Sequence, residues 1–259
     1  MNVVLFEHEI IALLESWLWP FFRIAGLVMT APIIGTRSVP VRVRLIIAIA
    51  ITMAVVPVIE QPRVIDPFGL EGMVTTIQQI IIGIAMGTTL RVVFVALELA
   101  GQLIGQLMGL LLATMIDPTN GNQVPIIGQF YLLFATLLFL SIDGHLVMIQ
   151  TLADSFHQLP VGADGMSRDA VWVFLNWIST VLSTSVLIAL PAVASLLMVN
   201  ISFGVMTRAS PQLNIFAVGF PVMIMAGIFI VMFTLSGFAP HMINLFDESF
   251  LMLNHMLTY

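Results

Sequence analysis

The sequence predicts an all-α, polytopic membrane protein of about six to eight apolar helices, and three observations carry that prediction. From Ala170 to Phe246 the chain holds one formal charge, Arg208. The uncharged runs on either side of it each exceed the ~20 residues that a helix needs to cross a bilayer. Hydrophobic residues make up 59% of the chain and charged residues 8%, against about a quarter charged in soluble domains, so the bilayer signal is global. Apolar runs set off by charges and by Pro and Gly give six candidate spans along the chain.

The first span runs from Trp17 to Ile34, and Pro20, Arg23 and Gly26 are expected to interrupt it. Ahead of it stand Glu7, Glu9 and Glu15 with no Lys or Arg, the opposite of a signal-peptide start, so this segment is expected to stay in the mature protein. The loop Gly35 to Arg44 carries Arg37, Arg42 and Arg44 and no acid, which places it on the cytoplasmic side. Spans at Leu45 to Ile59, Val74 to Leu97 and Ile126 to Ile142 follow. Leu99 to Ile116 and His145 to His157 are helical in pattern but polar or short, as re-entrant or interfacial segments are. Val171 to Met206 would run about 54 Å as one helix against a ~30 Å hydrocarbon core, and Pro191 is expected to bend or break it. The sixth span is Ile215 to Leu235, and Asn244 to Leu257 forms an amphipathic end. Six spans put the Arg208 turn on the cytoplasmic side and both termini outside. Helices too long, too broken or too polar for lipid pack on other protein, which points to an assembly subunit.

Composition excludes several functions. All eight cations are Arg and the net charge is −6, so no basic face for nucleic acid exists. Absence of cysteine removes disulfides, thiolate metal sites and cysteine nucleophiles. His8, His145, His157, His241 and His255 show no metal-ligand spacing, and no phosphate loop, dinucleotide fingerprint or nucleophile elbow occurs. The chain reads as a non-enzyme with no catalytic residues, metal or cofactor.

Two neighbouring stretches carry the strongest functional signal. Gly101, Gly105 and Gly109 recur every four residues beside a second stripe of Glu98, Gln102 and Gln106. Glycines at that spacing let another backbone approach, and the polar stripe demands partners or water, which suits a protein interface or a wet pore as well as ordinary packing within the chain. Gly83 and Gly87 repeat the small-residue spacing one helix earlier. Met115 to Pro125, with Asp117, Pro118, Asn120, Gly121 and Asn122, cannot continue a helix and forms a polar loop, a plug or a plain connection. Arg23, Arg91 and Glu98 are ionisable residues inside spans, with Asp143 at a span end. Arg91 and Glu98 share one face two turns apart. For Arg23 and Arg91 a structural bond or snorkelling weighs as much as a role in transport. Asp143-Gly-His145 is read as the turn that ends a helix.

An ordered set of motifs resembles the FliR family of flagellar biosynthetic proteins over nearly the full length. These are Ala31-Pro-Ile-Ile-Gly-Thr-Arg-Ser-Val-Pro40, the Glu98 to Gly109 helix with Asp117-Pro118, Asp143-Gly-His145 and Leu159-Pro-Val-Gly162. Arg208-Ala-Ser-Pro211-Gln212-Leu-Asn214-Ile-Phe216, followed by Gly219-Phe-Pro221, completes it. The resemblance implies a subunit of the type III export gate, one copy per complex, built of helical hairpins packed into a helical assembly with FliP and FliQ and in contact with FlhB and FlhA. It implies a FliP-like part over about residues 1–207, a FliQ-like hairpin over about 208–259, and a place in the bacterial inner membrane at the flagellar basal body. Unfolded flagellar subunits would cross the channel. A plug would close it, matching Leu110, Leu111, Leu112, Ala113, Thr114, Met115, Ile116, Asp117, Pro118, Asn120, Gly121 and Asn122. An injectisome gate subunit, a self-contained small-solute channel lined by Arg91, Glu98 and Asp117, and a scaffold that lines no channel are the competing readings.

Overall fold

In the computed structural model, residues 2–59, 65–67, 69–110, 125–162, 165–209 and 219–258 are described, with side chains from residue 16 onward. Seven α-helices account for most of them, and no strand occurs among the described residues. They are α1 (Asn2–Thr30), α2 (Val41–Val55), α3 (Leu70–Leu107), α4 (Ile126–Ser141), α5 (Gly144–Gln158), α6 (Arg168–Ala209) and α7 (Phe220–Thr258). The predicted helical class holds.

Three boundaries differ from expectation, each for a local reason. Val74 to Leu97 and the polar stretch after it form one 38-residue helix, α3, because Glu and Gln are good helix formers and change a helix's surroundings rather than its backbone. Gly83 and Gly87 therefore share a helix with Gly101 and Gly105. Pro20 and Gly26 lie inside α1, and Pro191 inside the 42-residue α6, without ending either helix. A proline removes one backbone donor, and here the long apolar runs on both sides carry the helix through. Asn244 to Leu257 likewise continues α7 to Thr258 rather than forming a separate end.

The six-span topology is also revised. Three described helices, α3, α6 and α7, are long and apolar enough to cross a membrane, or four spans if α4 and α5 count as one broken span. At about 1.5 Å per residue the 15 residues of α2 and the 16 of α4 fall short of a ~30 Å core. The three long helices differ in burial: 61% of the most apolar window of α3 is covered by the rest of the chain, but only 17% of that of α6 and 22% of that of α7. α3 is thus an internal element, whereas α6 and α7 present apolar surface outward.

The chain divides into two compact units: Met1–Val92 with Asp143–Ile178 and Asp247–Tyr259, and Val93–Ile142 with Ser179–Phe246. The core of the first gathers Ile24, Leu27 and Val28 of α1, Met86 and Leu90 of α3, Leu152 of α5 and Leu253 of α7. The second holds an aromatic cluster, Phe94, Phe139 and Phe246, with ring centroids 5.1–5.4 Å apart in tilted or edge geometries. Lipid tails are as apolar as these side chains, so close packing rather than water exclusion holds such contacts at membrane depth.

Candidate functional site

The Glu98 to Gly109 stripe lies on the last three turns of α3 and beyond, and its four-residue periodicity puts the glycines on one side. Gly101 and Gly105 are buried, while Gln106 is exposed and Glu98 and Gln102 are half-buried. Glu98 Oε1 accepts a hydrogen bond from Gln102 Nε2 at 3.3 Å, one turn along the same helix. Arg91, expected to share its face with Glu98, is exposed.

The three glycines perform different tasks. A Cβ on Gly101 would stand 2.8 Å from both Gly128 Cα and Ile127 O, so α3 crosses the start of α4 backbone to backbone there. At Gly105 a Cβ would meet side-chain carbons alone, those of Ile127 at 3.5 Å and Leu110 Cδ1 at 4.0 Å, ordinary contact. Gly109 follows the end of α3 with φ of 79°, a left-handed conformation that other residues rarely adopt. Packing within the chain thus occupies the face of Gly101. Gly101→Ala is expected to destabilise the protein by about 1–3 kcal/mol. Gly105→Ala is expected to be neutral or to stabilise by up to about 1 kcal/mol through helix propensity. Thermal unfolding of the solubilised protein separates the two.

Beyond Gly109 the chain leaves α3 at a cavity of about 270 Å3, lined by Leu107 to Gly109, by Asn200, Phe203, Gly204 and Thr207 of α6, and by Gly219, Phe220 and Met223 at the start of α7. Asn200 Nδ2 donates to Leu107 O at 3.4 Å and so meets one of the carbonyls that a helix end leaves open. Leu110, next in the chain after the lining residue Gly109, is half-buried. Leu111, Leu112, Ala113, Thr114, Met115, Ile116, Asp117, Pro118, Asn120, Gly121 and Asn122 of the expected plug lie outside the described residues, as do Pro211, Gln212 and Asn214. Arg208 is exposed in the last turn of α6. The cavity thus sits where the described residues after α3, the last turns of α6 and the start of α7 meet.

Arg23 resolves in favour of structure. Its side chain is fully buried in the first unit, and Nε donates to Gln79 Oε1 at 2.7 Å. Nη1 donates to Ser155 O at 2.9 Å and Ser155 Oγ at 3.1 Å, and Nη2 to Leu159 O at 2.8 Å. The guanidinium carbon also stands 4.2 Å from the centre of the Phe156 ring. The planar fork of arginine suits such a divergent set of acceptors, and it ties α1, α3 and α5 together. Gln79 and Ser155 were not singled out from sequence; an uncharged polar residue within an apolar run was the one signal available. Asp143 takes a left-handed φ of 56°, and its carbonyl accepts from Leu146 N and Val147 N at 2.8 and 3.1 Å, the turn that the sequence suggested. Among the described residues no group of three metal-ligating side chains is brought together.

The family model described as bacterial export proteins, family 1, matches residues 14–249. The chain is 36% identical over 247 residues to the flagellar biosynthetic protein FliR of Escherichia coli (strain K12), covering 94% of each chain. It is 37% identical to the protein of that name from Pectobacterium carotovorum subsp. carotovorum, over 94% of this chain and 93% of the relative. To that of Aquifex aeolicus (strain VF5) it is 33% identical, over 96% and 95%.

Proposed function

The chain belongs to the bacterial export proteins of family 1, and we propose from that premise that it is a subunit of the flagellar type III export apparatus. The observation that carries this is the near-full-length likeness to flagellar biosynthetic proteins. Each relative named above is flagellar, which favours the flagellar over the injectisome branch.

Within that apparatus the chain forms and closes a channel for unfolded flagellar subunits in the bacterial inner membrane. It does so as one copy beside FliP and FliQ, with FlhB and FlhA near, and as a component without catalytic residues or cofactor. Residues 1–207 act as the FliP-like part and 208–259 as the FliQ-like hairpin. The 42 residues of α6, about 63 Å at ~1.5 Å per residue, exceed a ~30 Å core, so partner subunits rather than lipid cover part of its exposed apolar surface. The stretch from Leu110 to Asn122 is the plug. Its departure point beside a cavity shared by α3, α6 and the start of α7 supports that reading, because an apolar recess there can seat or release the segment. A self-contained solute channel would instead work without partner subunits.

The test is secretion of hook and filament subunits into the medium by a strain lacking this gene. Export is expected to vanish and to return with the wild-type gene; normal export in the deletion strain would overturn this reading and favour a self-contained solute channel. A gene deleted for Leu110 to Ala113 is expected to restore assembly of the complex while raising ion conductance across the membrane. Unchanged conductance in that variant would remove the plug and leave a scaffold.

A further inference from the structure

α1 and α2 pack against each other and leave a groove of about 240 Å3, lined by Trp17, Leu18 and Phe21 from one helix and Ile49, Thr52 and Met53 from the other. Its single side-chain hydroxyl, Thr52 Oγ1, already donates to Ala48 O at 2.7 Å. A bound water needs two to four polar partners, so a groove of this lining does not hold water and suits an apolar chain.

On α2 the groove runs into an outward stripe. Arg42, Ile46, Ile49 and Met53 fall at i, i+4, i+7 and i+11, one face of a helix, and all four are exposed, Ile46 at 65% and Met53 at 60%. From Arg42 to Met53 this face extends about 16 Å at ~1.5 Å per residue. Positive charge gathers at one end only. Arg37 is exposed in the turn before α2, Arg44 is pinned there by bonds to Thr36 O and Val39 O, and no Asp or Glu occurs from Ser16 to Ile59. A surface cationic at one end and apolar along the rest matches a molecule with an anionic head and a hydrocarbon tail.

We propose that this face binds an anionic phospholipid, with its phosphate at Arg42 and Arg37 and one acyl chain along Ile46 and Ile49 into the α1/α2 groove. The proposal requires only that the chain lies in a membrane and is independent of its role in export.

Trp17 lines the groove, so phospholipid brominated in the acyl chain reports occupancy by quenching its fluorescence. The full chain, purified with its partner subunits, is placed in phosphatidylcholine nanodiscs containing a small fraction of brominated phosphatidylglycerol or, separately, brominated phosphatidylcholine. Trp17→Phe identifies the share of the signal that comes from the groove. The groove signal is expected to be quenched several-fold more by the anionic lipid at equal mole fraction. Arg37→Gln and Arg42→Gln, both on exposed side chains, are each expected to lower that preference about fivefold, with gel filtration confirming an intact complex. Equal quenching by the two lipids would overturn the proposal. So would quenching by neither, which would mean that a protein partner covers the groove.

Discussion

Arg23→Met is expected to cost the folded protein about 2–6 kcal/mol, a large share of the marginal stability of any domain. The substitution removes the donor to Gln79 Oε1, which is buried, and to Leu159 O, which is part-buried; an orphaned acceptor costs about 1–3 kcal/mol in a buried place and less where it is partly exposed. Ser155 O retains the Leu159 N–H at 2.9 Å and loses less. Methionine also relieves something, because the guanidinium is buried against carbonyl, amide and hydroxyl dipoles and the Phe156 ring. That relief does not restore the orphaned acceptors, so the net sign is destabilising. Arg23→Met with Gln79→Leu removes donor and acceptor together and is expected to recover part of the loss. Arg23→Lys keeps the charge but cannot reach three divergent directions at once, and should fall between wild type and Met. Thermal unfolding in detergent and the steady-state amount in membranes measure the series. An unaltered Arg23→Met protein would mean that the network does not hold α1, α3 and α5 together.

The same residue shows where sequence stops informing. Helices were legible because uninterrupted apolar runs leave few alternatives at membrane depth, and a described helix covers most of each expected span, though only three or four of them are long and apolar enough to cross a membrane. The Asp143 turn was legible because helix-ending residues act locally. Arg23 could be marked as out of place in an apolar run, but its partners lie 56, 132 and 136 residues away in the chain, and no local pattern encodes that meeting. Proline positions misled for the opposite reason: a rule about one missing backbone bond was outweighed by the long helix on each side of Pro191, from Arg168 before it to Ala209 after it. The glycine stripe was read as one feature because spacing is all a sequence shows. Gly101 turned out to face backbone, Gly105 a side chain, and Gly109 solves a dihedral problem.

Gly83→Leu is expected to disrupt the first unit as severely as Arg23→Met, by overpacking rather than by lost bonds. A Cβ at Gly83 would run into the backbone carbonyl of Arg23, and it would stand 3.0 Å from Leu27 N. On the facing helix, a Cβ at Gly26 would stand 2.8 Å from Ile80 O. Each glycine thus meets backbone rather than a flexible side chain, so no rotamer change can make room and α1 must move away from α3. Gly83→Ala is expected to cost about 1–3 kcal/mol and Gly83→Leu more. The displacement would not stay local. Gln79 lies one turn before Gly83 on α3 and its Oε1 accepts a hydrogen bond from Arg23 Nε at 2.7 Å, so widening the crossing stretches that bond. The two perturbations should therefore couple: in a double-mutant cycle, Gly83→Ala on top of Arg23→Met should cost less than it does alone, by 0.5 kcal/mol or more. Strict additivity would show that the helix crossing and the arginine network are held independently, and that closeness of α1 to α3 is not what positions the guanidinium.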